Sequence, residues 1–489
     1  MSPQIPGRQA ERRGLHLWNV GIVLALAFIS ATLVAGFVFY TSWDLLGARG
    51  LKKQQKIDSK TLFDLVKLSF GVVAGAGALV ALVVAYRRQR VDEDAALRET
   101  TRLHNERFTT AVSQLGDESP TVRLGGVHAL AGLADDAPTS QLRQTCIDVL
   151  CAFLRLPYTA ESDLTPGDAG ARHSYLALRE ARHTVIRLIR DHLRLPPEHP
   201  HSWQGHDFDF TTAVFDGGDF SGARFSGGGI SFSDATFSGR GVSFAGTRFS
   251  GGRVNFDKAT FSSGRVDFAL AEFSRSYVIF KDATFAGGTA TFEASEFSGG
   301  RVMFNDATFA GGTVSFNNAA FSGGEVDFND AAFVGGTVNF NDARFSRSTV
   351  NFNDAAFVGG TVKFNNAAFV GGTVNFNDAR FSRSTVNFND TRFSGATVNF
   401  NDARFPRGTI TFNKATFLGG RVAFVDARFS GATVTFNDAA FFPVTVDFAR
   451  ATFSGGAVKF IGATGAAPEG LLAAAGSPVP AGVILAAGW

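Results

Sequence analysis

Cysteine and methionine are almost missing from this chain, with two of each in 489 residues. Cys146 and Cys151 lie five apart in a stretch of helical periodicity, so they face different sides. They read as two buried thiols of a reducing compartment, not as a disulfide. Also missing are a glycine loop leading into Lys-Ser/Thr, a nucleophile elbow, a His-Glu-x-x-His pair and a Cys-x-x-Cys pair. Without them the chain is expected to be no enzyme and to carry no catalytic, cofactor-binding or metal-binding residues. His199, His201 and His206 follow no ligand spacing and are joined by no cysteine, so they read as scattered loop histidines. Charge of one sign is missing too. Residues 207–460 hold 23 Asp and Glu against 22 Lys and Arg, which excludes a polyanion or a polycation.

Phenylalanine is what the chain has in excess. Of its 52 Phe, 45 lie between 208 and 460. From Phe225 to Phe453 they alternate in steps of seven and five without a miss, nineteen units of twelve residues. A fixed short period of this kind means a solenoid. In a unit such as Val338 to Thr349, a small apolar residue stands two before each Phe: Val338 before Phe340, Ala343 before Phe345. That is the period of a strand, so both side chains of a pair point inward. Asn339, Asn341, Asp342 and Arg344 then point outward. The seven-residue step carries Gly-Gly in most units and suits a corner with positive φ, although Arg347-Ser348 and Arg383-Ser384 fill the same slot. Repeated Asn-Asp pairs (Asn341-Asp342, Asn353-Asp354, Asn377-Asp378) lack the Gly-Gly-x-Gly-x-Asp turn of stacked calcium sites and read as exterior ladders.

Phe210, Phe215, Phe220 and Phe225 are spaced by five, in runs such as Ala213-Val214-Phe215-Asp216-Gly217 and Ala223-Arg224-Phe225-Ser226-Gly227. This resembles the pentapeptide-repeat family over residues 207–460. The resemblance implies a right-handed quadrilateral β-helix with four repeats per coil. The regular two-residue insertion turns 5+5 into 5+7, so a coil of about 24 residues with two swollen corners is expected, a flat coil of about 12 residues being the alternative.

Four regions follow. Residues 1–90 read as a transmembrane hairpin with spans at about 17–40 and 66–86. No charge occurs from Gly14 to Trp43 or from Leu68 to Tyr86, and Arg87-Arg88-Gln89-Arg90 closes the second run. Two spans place both termini and the solenoid on one side, taken as the cytoplasmic side of the plasma membrane. Residues 91–203 read as a small all-α domain and connector, with Ser119-Pro120 opening one helix and an Arg-rich helix from Arg172 to Leu195. That last helix suits either an anionic partner (nucleic acid or lipid headgroups) or, as the plainer reading, an amphipathic helix that buries Leu176, Ile186, Leu188 and Ile189. Residues 204–460 are the solenoid, with Trp203 and the residues after it expected to cap the first coil. Residues 461–489 form a Gly/Ala/Pro-rich tail or cap.

The fold class expected is α plus β-solenoid. The function expected is a membrane-anchored scaffold that docks a protein partner through positions that break the repeat: Phe442-Pro443-Val444, Tyr277 and Met303. Nucleic acid is not an expected partner, and pairing with a second copy is possible. The family resemblance implies an alternative, because some members mimic duplex DNA and bind type II topoisomerases, with acidic faces this near-neutral stretch does not match. A structural spacer at the envelope is the third reading.

Overall fold

The computed structural model describes residues 58–489 apart from 162, 163 and 443, together with scattered positions between Ala25 and Asp44. It divides into two compact units, Met1–Leu103 and His104–Trp489. Most of the first expected span lies outside the described residues. The second falls on helix α1 (Ser59–Leu115), whose last turns from His104 onward belong to the second unit. Among the described residues, no helix is long and apolar enough to cross a membrane.

Three more helices follow: α2 (Pro120–Asp135), α3 (Ser140–Arg155) and α4 (Ala169–Arg194). Pro120 occupies the first turn of α2, where a missing N–H costs nothing. Ser119 sits at the expected N-cap with extended backbone, but its side chain makes no capping bond. Thr139 and Asp168 do cap their helices, accepting from Leu142 N at 3.2 Å and Ala171 N at 2.8 Å. Gly126 has no Cβ where one would meet the backbone of Ala111 and Leu115, so α2 crosses the end of α1 closely. Val127, Leu130, Ile147, Leu150, Val185 and Ile189 are fully buried between the helices. Both cysteines are free and buried in α3. Burial pushes the Cys146 thiol up to about 11 and Cys151 higher still, which keeps both unreactive.

From Phe208 the chain coils. Each coil has four sides of parallel strand, short and separate in most coils but with sides two and three joined as one eight-residue strand in the last four (from Arg380–Asn387 to Thr452–Lys459), and each side pairs with the same side a full coil later. Side one begins at Phe208–Asp209 and Gly229–Ser231, side two at Val214–Phe215 and Thr236–Phe237. Side three begins at Gly218–Asp219 and Val242–Ser243, side four at Arg224–Ser226 and Arg248–Ser250. Sides one and four each hold eleven strands. Thr260 pairs with Thr284 and Phe273 with Phe297, so the coil is 24 residues and the flat 12-residue alternative is excluded. The first coil is shorter on two sides, with Phe208 opposite Ile230 and Val214 opposite Thr236, because its repeats still step by five. At ~4.8 Å per coil, eleven strands extend about 50 Å.

The interior is four columns of phenylalanine. Phe352 stacks on Phe376 at 4.8 Å with rings 4° from parallel, and Phe357 on Phe381 at 4.7 Å and 5°. The ring spacing equals the strand spacing, so one residue type satisfies both the ladder and the core in every coil. Each buried Phe contributes about 1.5–3 kcal/mol before chain entropy is subtracted.

Two kinds of corner close each coil. The swollen ones, after sides two and four, carry the expected Gly-Gly. At Gly372, with φ +80°, an added Cβ would run into the carbonyl of Ser348 in the coil before. The other corners are the Asn-Asp pairs. They are turns rather than outward strand residues: Ala343 N donates to Phe340 O at 3.2 Å, and Asp342 holds φ +58°. Asp tolerates that left-handed region better than most residues, which accounts for its recurrence there. The preceding Asn stitches coils together, as where Asn353 N donates to Asn329 Oδ1 at 3.0 Å and Asn365 N to Asn341 Oδ1 at 3.1 Å.

Both ends of the solenoid are covered. At the C-terminal end Val458 pairs with Val483, Leu471 is fully buried, and Trp489 lies 5.3 Å from Phe460 and 5.9 Å from Phe441. Its indole N–H donates to Gly465 O at 3.1 Å. Gly465 occupies the register position of the fourth Phe column, so the Trp ring covers a column that has run out.

Candidate interaction surface

The N-terminal end of the solenoid is covered by α3 and α4, and polar side chains make the joint. A first coil has no preceding coil to bond its backbone, so its carbonyls need other donors. The Arg-rich helix supplies them. Arg182 donates to Val214 O at 2.6 Å and Arg194 Nε to Ser221 O at 2.8 Å; Arg190 also bonds the Asp219 carboxylate, and Arg155, at the end of α3, bonds that of Asp209. Of the residues expected to be buried in that helix, Ile186 and Ile189 are buried and Leu188 is partly so, whereas Leu176 is exposed. Part of the charged face, expected in solvent, is turned inward instead: Arg182 is 4% exposed. Its burial lowers it to about 10, and its guanidinium lies over the Tyr158 ring at 4.3 Å.

Asp216, at the corner after side two of the first coil, is the centre of this joint. Its Oδ2 accepts from Tyr175 Oη at 2.6 Å, from Glu161 N at 3.2 Å and, more weakly, from Tyr158 Oη at 3.5 Å. Burial and the Asp216 charge push Tyr158 up to about 12 and raise Tyr175 further. Sequence reading missed this cluster. Its only signal was an acid where later coils have Ser, Ala, Val or Pro after the Phe.

The connector is locked separately. Trp203, expected to cap the first coil, is fully buried; it stacks on His192 at 4.2 Å and donates to Asp135 Oδ1 at 3.2 Å, both in the helical segment. His192 Nε2 meets Asp135 Oδ2 at 3.0 Å and its Nδ1 meets Leu188 O at 2.6 Å. Burial opposes a charge on that ring, yet these partners raise its pKa above the ordinary histidine value. His206 goes to Gln144 at 3.0 Å instead of joining His199 and His201. Among the described residues, no three His, Cys, Asp or Glu are placed to hold a metal.

The remaining surface is the solenoid's outside. Tyr277 is exposed on side one, and Met303 is half-buried one coil on, with Ile279 opposite Met303. Phe442 is exposed on side four beside Leu418, far along the solenoid from Tyr277. The irregular positions therefore do not converge on one patch, and Pro443 lies outside the described residues. More regular rows stand out. The corner after side one carries aspartate in seven successive coils, from Asp282 to Asp426. Side two carries Arg380, Arg404 and Arg428 in register.

A parallel β-solenoid with four sides per coil and a stacked Phe core defines a repeat protein of the quadrilateral kind. The family description "Pentapeptide repeats (9 copies)" matches residues 210–260, where the spacing is still partly five, and the same Phe columns continue to Phe460. The match over these residues and the β-solenoid that continues from them support the pentapeptide-repeat reading of the chain. No curated protein and no solved structure gives a significant match.

Proposed function

We propose that this chain is a non-enzymatic, membrane-anchored scaffold whose solenoid docks a protein partner. The observation that carries the docking role is the closed solenoid itself. Both ends are covered, so self-assembly through open strand edges is blocked and only the four sides are left to bind. Those sides are paved with outward side chains on a fixed ~4.8 Å grid, which is a surface for a macromolecule and not for a small substrate.

The anchoring role rests on the sequence of α1. From Leu68 to Tyr86 it has no charged residue, and an arginine cluster follows. Several side chains of that run lie outside the described residues. Of those described, Leu68 and Phe70 are 70% exposed and Leu82 is 68% exposed, far more open apolar surface than water favours. Washing native membranes with alkaline carbonate tests the anchor. The chain stays with the membrane pellet under this reading, and release into the supernatant overturns it. A DNA-like acidic face is not favoured, because the aspartate row is one column wide and arginine stands beside it on side two.

A further inference from the structure

We infer that the arginine rows on side two, with the corner after them, seat an acidic α-helix of the partner protein. The inference rests on the docking reading above and names what that partner presents. In successive coils the first residue of side two is Thr308, Ala332 and Ala356, then Arg380, Arg404 and Arg428, the three arginines in register. Arg383 and Arg407 add to the corner beside them. All five are exposed, and among the described residues none closes an ion pair or hydrogen bond. The fold can pair charges one coil apart, as Arg248 does with Glu272 at 3.0 Å, Arg301 with Glu325 at 2.8 Å and Arg450 with Asp426 at 2.6 Å. Here like charge stands on like, which costs stability in the isolated chain. The aspartate row is accounted for by its left-handed turn, whereas no backbone feature asks for arginine in a strand position that holds Thr or Ala in the coils before.

Charge and spacing say what fits there. Asp378 and Asp402 stand on the edge toward side one, and Asp426 is taken by Arg450. On the other edge side three begins with uncharged Thr385, Thr409 and Thr433, so the seat for an anion lies over the corner between sides two and three. That corner is unbroken, because Arg380–Asn387 and Arg404–Thr411 each run through it as one strand. In the two coils before Arg380 the same side carries exposed Val358 and Val334. From Val334 to Arg428 is a run of four coil steps, ~19 Å at ~4.8 Å each. A helix lying along the solenoid brings one side chain per turn, every ~5.4 Å, close to that step, whereas an extended strand brings one every ~6.8 Å and falls out of register. About 13 helical residues span the run, with apolar turns over the valines and acidic turns over the arginines. A nucleic acid backbone has nothing apolar to lay on Val334 and Val358, and among the described residues side two exposes no aromatic to stack a base.

The probe is a fluorescein-labelled synthetic helix of about 16 residues, with two leucines and then three glutamates on one face, one per turn, and alanine and glutamine elsewhere. Its anisotropy reads binding to the full-length chain in mild detergent. The native chain binds it, and more weakly as salt rises. Arg380→Glu with Arg404→Glu lowers the affinity roughly ten-fold or more, with the melting transition retained. Arg344→Glu with Arg392→Glu, an equal change of charge on side four, leaves it unchanged. A peptide with lysine for glutamate binds the first variant and not the native chain. Failure of the native chain to bind the acidic peptide overturns the inference, as do equal losses in the two variants or tighter binding of an oligonucleotide of equal charge. Undiminished binding after a proline is placed in the middle turn overturns it too. In native membranes, a partner still captured by the first variant but lost when whole coils are excised leaves docking standing and overturns this assignment alone.

Discussion

The Tyr175 hydroxyl donates to Asp216 Oδ2 at 2.6 Å, joining the last cap helix to the corner after side two of the first coil. The pair ties the all-α segment to the coil it covers, and Asp216 is 3% exposed. Tyr175→Phe removes one donor from a buried carboxylate and should cost about 1–2 kcal/mol. Asp216→Ala strands Tyr175 Oη and Glu161 N together and should cost about 2–3 kcal/mol. Denaturant unfolding of full-length chains measures both, and equal stability for either variant contradicts the account.

The corner after it makes a steric prediction. Gly239 has φ +70°, and a methyl there overlaps Asp216 Oδ1. Gly239→Ala is thus expected to destabilise by more than about 1 kcal/mol, whereas Gly395→Ala, at φ +61° with open space around it, should cost less. Comparing the two melting temperatures separates the clash from backbone strain, which both variants share.

Within the columns, truncation should act locally. Phe352→Ala removes a ring that stacks on Phe328 and Phe376, both at 4.8 Å, and is expected to cost about 3–5 kcal/mol. Because coils touch only their neighbours, hydrogen exchange should quicken in adjacent coils first and leave the α3–α4 joint protected.

The connector lock has a pH signature. His192 is raised in the folded state, so its pairing with Asp135 stabilises fully below the unfolded value of about 6.5 and is lost as pH rises through the higher folded value. His104, His183 and His206 are depressed, chiefly by burial, and act with the opposite sign. The difference between native and His192→Gln chains isolates the first effect. Its melting-temperature gap should be wider near pH ~5.5 than near pH ~8.5. A gap that grows with pH contradicts the charged pairing.

Much of this fold was legible because the repeat is enforced by packing. A Phe at every seventh and fifth step cannot be satisfied except by stacking, and Ala or Val two before it fixes which face turns in. The corners were half legible. Gly-Gly announced positive φ, but Asp342 and its equivalents adopt it without glycine, so their row was read as strand exterior. The joint was not legible. Nothing in the spacing of Arg182, Tyr175 and Asp216 says that a helix must supply donors to carbonyls left open by the first coil. The surface rows from Asp306 to Arg428 become visible only when residues 24 apart are placed side by side.

The central claim, docking of a protein partner through the solenoid, is tested most directly by removing coils without opening the ends. Excising Thr289–Ser384 takes out four whole coils of 24 and joins Gly288 to Thr385, which occupies the same position in its own coil. Crosslinked co-purification from native membranes then compares this chain with the intact one. A discrete partner captured by the intact chain and lost from the shortened one, both remaining folded, is the predicted result. Identical captures from the two chains would contradict docking through the solenoid.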